Sequence, residues 1–133
     1  MKFEDILRQQ VLVLDGAMGT MVQNLELDDM AFGGKAFKML TDLLIFSRPD
    51  DLEEIHLKYL RAGANLIETD TFGASPLRLK EFDFTQIDIT DMRAIPEGLD
   101  LKKSDYLAIT QHLNIEGCRI ARKAIDRYKN EPE

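Results

Sequence analysis

The sequence predicts an α/β fold built on a parallel sheet, and three observations carry that reading. Val11-Leu12-Val13-Leu14 is a short, wholly apolar, partly β-branched run that stops at Asp15-Gly16-Ala17-Met18-Gly19-Thr20, the pattern of a buried strand ending in a glycine loop. Pro49 then opens a well-marked helix. Directly after that helix, Asn65-Leu66-Ile67-Glu68-Thr69 reads as a second short strand, leading into the loop Asp70-Thr71-Phe72-Gly73. Strand, crossover and strand in this order give a parallel pair with a right-handed connection.

The remaining elements follow in order. Residues 21–39 mix a short helix-like piece with Gly33-Gly34 and carry no strong period, so a surface excursion is expected there. At Pro49 the flanking Ser47 and Asp50, with Asp51, Glu53 and Glu54, suit the positive end of a helix dipole. Leu52, Ile55, Tyr59 and Ala62 fall at steps of three and four, and Gly63 stands where a left-handed cap is wanted. Ser75-Pro76 opens another short helix through Leu77, Leu79 and Phe82. From Asp83 to about Tyr106 the pattern breaks at Ile87, Ile89, Ile95-Pro96 and Gly98, which predicts a long loop or a small insertion. Leu113, Gly117, Ile120, Ala121, Ala124, Ile125 and Tyr128 form the apolar stripe of a long last helix, closed by Pro132. Two strands cannot finish a parallel sheet, and a (β/α)8 TIM barrel takes about 250 residues. The expectation is therefore one partial domain over residues 1–133, the incomplete amino-terminal portion of such a barrel. Its open strand edges need a cover, which residues 83–106 are expected to lay down as an extra strand or loop.

Composition narrows the function. With 44% apolar and 31% charged residues in 133, the chain suits one globular unit. It has no apolar run of about 18 residues, and acids at Glu4 and Asp5 stand where a leader would be basic, so a cytoplasmic protein without membrane contact is expected. The net charge of −7 is spread along the sequence and repels nucleic acid, leaving small molecules or proteins as partners. The single cysteine, Cys118, excludes an intrachain disulfide and any multi-thiolate metal centre made by this chain alone. On its helix it is read as a small packing residue.

In an α/β architecture the site lies at the carboxyl ends of the strands, here Asp15 to Thr20 and Glu68 to Gly73. Glycines permit close backbone approach, so amides near Gly16 and Ala17 suit a carboxylate, while Asp15 and Glu68 suit an ammonium group. A zwitterionic amino acid fits both; the plainer alternative is a tight strand-to-helix turn with a capping acid. His56 and His112 are read as structural surface histidines, and Met18 and Met21 as core residues.

Several ordered blocks carry a resemblance: Leu14-Asp15-Gly16-Ala17-Met18-Gly19-Thr20, Arg48-Pro49-Asp50, Glu54-Ile55-His56, Tyr59-Leu60-Arg61-Ala62-Gly63-Ala64 and Ile67-Glu68-Thr69-Asp70-Thr71-Phe72-Gly73-Ala74. Together they resemble the homocysteine S-methyltransferase family, and within it the amino-terminal module of the cobalamin-dependent methionine synthases. Residues 3–78 and 111–128 carry the likeness; residues 83–106 do not follow it. The resemblance implies a barrel that binds L-homocysteine, coordinates its sulfur to zinc held by three cysteines, and receives a methyl group from cobalamin to give methionine. It places Asp15, Gly16, Ala17, Glu68, Thr69 and Thr71 around the substrate's amino-acid end. It assigns no catalytic residue and no metal ligand within this chain, because the family's zinc cysteines lie in later strands. The chain is thus expected to be inactive alone and to need the remainder of the barrel or a complementing polypeptide. Asp70 departs from the asparagine usual at its position, exchanging a neutral donor and acceptor for an acid. Two rival readings stand beside this one, a non-catalytic small-molecule or protein-binding module and one half of a split barrel.

Overall fold

Six α-helices joined by loops and short 3₁₀ turns make up the computed structural model, which describes residues 1–132 and is 54% helical. Helix α1 spans Phe3–Gln9 and buries none of its residues. Helix α2 (Met18–Gln23) follows the first glycine loop, and α3 (Leu44–Ser47) leads through Arg48 into α4 (Pro49–Arg61). In α4 the acids Asp50 and Asp51 occupy the first turn and Lys58 and Arg61 the last, and Gly63 beyond it adopts a φ of +106°, as the proline, charge and glycine pattern predicts. Helix α5 (Pro76–Leu79) is capped by the Ser75 hydroxyl, which accepts from the Arg78 amide at 3.2 Å, and it stops short of Phe82. Helix α6 (Tyr106–Lys129) starts at Asp105, whose carboxylate accepts from the Ala108 amide at 2.7 Å. No described helix is long and apolar enough to cross a membrane.

The predicted parallel sheet, and with it the barrel portion, does not form among the described residues. Leu14 and Leu66 make one isolated parallel bridge and the ladder extends no further. The physical reason lies in what covers the two segments. A parallel strand pair is stable when both of its faces are buried. Here Ile67 packs on Leu57, Leu60 and Ala124 of α4 and α6, while Val11, Val13 and Leu14 are 87%, 54% and 51% exposed. With one side uncovered, the apolar gain that would hold a ladder is absent.

The apolar weight of the chain sits elsewhere. Leu40, Leu43, Leu44, Ile45 and Phe46 are almost wholly buried and form the centre of the core with Leu52, Ile55, Leu79, Ile109 and Leu113. The expected surface excursion over residues 21–39 is likewise overturned, since Val22, Ala31, Phe32 and Phe37 are buried within it. Phe37 stacks on Phe82 at 5.8 Å and meets Phe84 edge-on at 5.3 Å. Residues 83–106 lay no strand along the Leu14–Leu66 bridge. They pack instead on the 31–46 region: the Asp88 amide donates to Gly33 O at 2.8 Å, the Ala94 amide to Phe46 O at 2.9 Å, and Ile87, Met92 and Leu101 are buried.

Helices α4 and α6 lie along each other and are joined by charge. The Glu53 carboxylate, 3% exposed, accepts from Lys123 Nζ at 2.9 Å and Arg127 Nη1 at 2.6 Å. Gly117 lets α6 approach closely: a Cβ there would stand 2.7 Å from Thr71 Cγ2 and 3.3 Å from Ile45 Cδ1.

Candidate functional site

The single bridge is enough to set two loops side by side. The Asp15 amide donates to Leu66 O at 2.9 Å, Val13 O accepts from the Asn65 and Leu66 amides, and Asn65 Oδ1 accepts from the Val13 amide at 2.9 Å. This brings the 15–20 loop against the 68–73 loop, and Asp15 Oδ2 joins them by accepting from the Glu68 amide at 3.0 Å. From α4, the Tyr59 hydroxyl donates to Ala17 O at 2.7 Å. Its ring lies under Gly16, where a Cβ would stand 3.0 Å away, so the absence of a side chain at Gly16 is a packing requirement.

Between the loops is a cavity of about 480 Å³, lined by Asp15, Gly16, Ala17, Met18, Gly19, Thr41, Glu68, Thr69, Asp70 and Phe72. Five of the six residues expected around an amino acid therefore share one cavity. Thr71 does not line it; it faces Gly117 of α6 and shares a 2.6 Å hydroxyl–hydroxyl hydrogen bond with Thr69. Gly16, Ala17 and Glu68 are exposed at the rim, and Asp15 is half-buried. The lining carries three acids and no lysine or arginine, so its field favours a ligand with a positive charge and disfavours phosphates.

Two lining or supporting residues were not visible as site residues in the sequence. Thr41 and Asp42 come from the 3₁₀ turn Thr41–Leu43, far from both glycine loops along the chain. The one signal for them is that this polar pair interrupts the apolar run from Leu40 to Phe46. His56 is not a surface histidine. It is 1% exposed, and its Nδ1 has no hydrogen-bond partner. Burial pushes its pKa down, Asp15's charge opposes that, and the ring stays neutral at pH 7. The reason is the width of the buried face of α4: with the core on one side and α6 on the other, Leu52, Glu53, Ile55, His56, Leu57 and Leu60 are all enclosed.

A larger, shallower hollow of about 840 Å³ runs along α6. Its Arg119, Lys123 and Arg127 are already paired with Glu116, Glu53 and Glu54, so it presents a solvated charged face rather than a site.

The sequence profile of the family described as Homocysteine S-methyltransferase matches residues 12–133. The chain belongs to the homocysteine S-methyltransferase family. At the level of the family, its chemistry is methyl transfer to homocysteine, a zinc-dependent reaction. The match takes in both glycine loops, so the cavity lies inside the family region. The residues of this homocysteine S-methyltransferase chain do not themselves fit a zinc centre. Cys118 is exposed on α6 rather than packed, and no cluster of three His, Cys, Asp or Glu among the described residues is arranged to hold a metal.

Proposed function

We propose that this chain supplies the homocysteine-recognising part of a methyltransferase that methylates the homocysteine sulfur to give methionine, with a corrinoid as methyl donor. One observation carries the reading: a cavity inside the family region whose rim offers two carboxylates and two glycine-loop amides, with no cation among its lining residues. The ammonium group of L-homocysteine lies between Asp15 and Glu68, and its carboxylate takes the amides of Gly16 and Ala17. Asp15 is already oriented, because its Oδ2 is held by the Glu68 amide. That leaves the thiol end directed out of the cavity.

A free thiol with a pKa of about 8.5 is mostly protonated at neutral pH, and zinc supplies the stabilised thiolate in this family. One cysteine cannot build a three-thiolate centre, so in this proposal the thiolates come from residues outside this sequence, and the chain alone binds the amino acid without methylating it. The corrinoid donor rests on the likeness of the Asp15–Thr20 and Thr71–Ala74 blocks to the cobalamin-dependent branch.

The test is an amide-resolved NMR titration with L-homocysteine, its N-acetyl derivative and Asp15→Ala. The proposal expects saturable shifts at Gly16, Ala17 and Glu68 with homocysteine. It expects none with the N-acetyl compound, which lacks the charge, and affinity lower by about tenfold or more in Asp15→Ala, the scale of a lost charge-assisted hydrogen bond. Equal binding of the N-acetyl compound would overturn it.

A further inference from the structure

We infer that Thr41 and Asp42 form a two-point clamp that positions the Asp70–Gly73 wall of the cavity, and that the clamp closes only while Asp70 is neutral. The inference rests on the reading of the cavity as the amino-acid site. Both points of the clamp are direct. Thr41 Oγ1 donates to Asp70 Oδ1 at 3.1 Å, and the Gly73 amide donates to Asp42 Oδ2 at 3.0 Å and Oδ1 at 3.3 Å. The backbone comes so close that a Cβ on Gly73 would lie 2.7 Å from Asp42 Oδ1 and 2.8 Å from Leu40 Cδ1. Consecutive residues of one turn therefore grip both ends of a four-residue loop of which Asp70 and Phe72 line the cavity.

The two carboxylates are 2% and 5% exposed, and Asp70 Oδ2 is buried without any partner. Among the described residues no cation pairs with Asp70. From the 41–43 turn it meets Thr41 and Asp42; α6 presents the uncharged Asn114 and Gly117 to the loop, and α2 contributes Met18 and Gly19 to the cavity. Asp15 and Glu68 line the same cavity and are acids. Arg78 of α5 acts on Asp42 and is ion-paired with Glu81, and Lys38 is paired with Asp29.

Burial pushes Asp70 up to about 7, with the Asp42 charge adding to it and the Thr41 hydrogen bond opposing. Burial also raises Asp42, against the Gly73 amide and Arg78. A neutral Asp70 beside Asp42 lets the loop close. Two buried anions with no cation between them drive it open, and Thr69, Asp70 and Phe72 leave their places in the cavity wall.

The experiment uses the full chain and Asp70→Asn, which keeps the acceptor for Thr41 but carries no titrating proton. Asp70's carboxyl carbon and the Gly73 amide are followed by NMR from about pH 4 to about pH 9, and L-homocysteine affinity is measured at about pH 5.5 and about pH 8.5. Expected are a near-neutral midpoint shared by the Asp70 carbon and the Gly73 amide, and an affinity loss of about tenfold in the wild type beyond any loss in Asp70→Asn. The variant is the control for titration of the ligand's own groups. A midpoint near the ordinary aspartate value, a Gly73 amide that does not move, or identical pH profiles in the two proteins would overturn the clamp. Should homocysteine bind neither protein at any pH, the functional reading fails, and the clamp is decided by the two NMR midpoints alone. Should Asp70→Asn not fold, Thr41→Val serves: removing the hydroxyl that holds Asp70's pKa down must move the Asp70 midpoint higher, and a midpoint unchanged or lower overturns the proposal.

Discussion

The carboxylates of the cavity are individually accountable. Asp70 keeps its proton to about pH 7 in the folded chain, whereas an unfolded aspartate loses it near pH 4. Below the unfolded value its contribution to stability is fully present, and it is lost as pH rises toward the folded value. Thermal unfolding followed by circular dichroism should therefore show the wild-type Tm falling from about pH 5 to about pH 8 relative to Asp70→Asn, and parallel curves would contradict the assignment. Cys118, exposed on α6, should react with a thiol reagent in the native state without a lag, with no change in helicity. At this scale the two loops that carry Asp15, Gly16, Ala17, Glu68 and Thr69 were legible as loops, because an apolar run that breaks at an acid and glycine marks a loop whatever the run itself forms. Thr41, Asp42 and the burial of His56 were not, because each depends on a neighbour distant in sequence: the 70–73 loop for the first two, and α6 for the third.

At the level of elements, the contact between α4 and α6 is both packed and charged. Glu53 is buried, which alone would raise its pKa; hydrogen bonds from Arg127 and Lys123 outweigh that and hold it below the ordinary value. Its contribution is present at neutral pH and is lost as pH falls through that lowered value. Glu53→Ala should reduce unfolding free energy by about 1–3 kcal/mol in urea titration at neutral pH, the scale of hydrogen bonds to a charged group. Gly117→Leu should cost about 1–3 kcal/mol by overpacking against Thr71 and Ile45, and should shift the amides of Thr69 and Thr71 by NMR. A Gly117→Leu chain as stable as the wild type would mean that α6 is not seated on this loop. The starts of α4 and α5 were legible from Pro49 and Ser75-Pro76, since caps act through adjacent residues, and the existence of α6 from its apolar stripe. The end of α5 was not, because Phe82 is drawn off the helix to stack on Phe37.

For the whole molecule, apolar runs named the right loops and the wrong architecture. Val11–Leu14 has the composition of a buried strand, yet a strand's stability comes from neighbours on both faces, and composition does not reveal whether those neighbours are in place. The Leu40–Phe46 run, flanked by residues without a helical or strand period, became the centre of a helical and loop-built core instead. Family membership was legible because it rests on ordered blocks of identity rather than on packing. In the proposed function the Asp15–Glu68 cavity holds the amino-acid end of homocysteine by itself. Calorimetric titration of the purified chain with L-homocysteine, run with zinc and with a chelator, tests it most directly. Saturable binding of equal affinity is expected in both conditions, abolished or strongly weakened in Asp15→Ala. No binding by a folded sample, or binding that appears only with zinc, would contradict it.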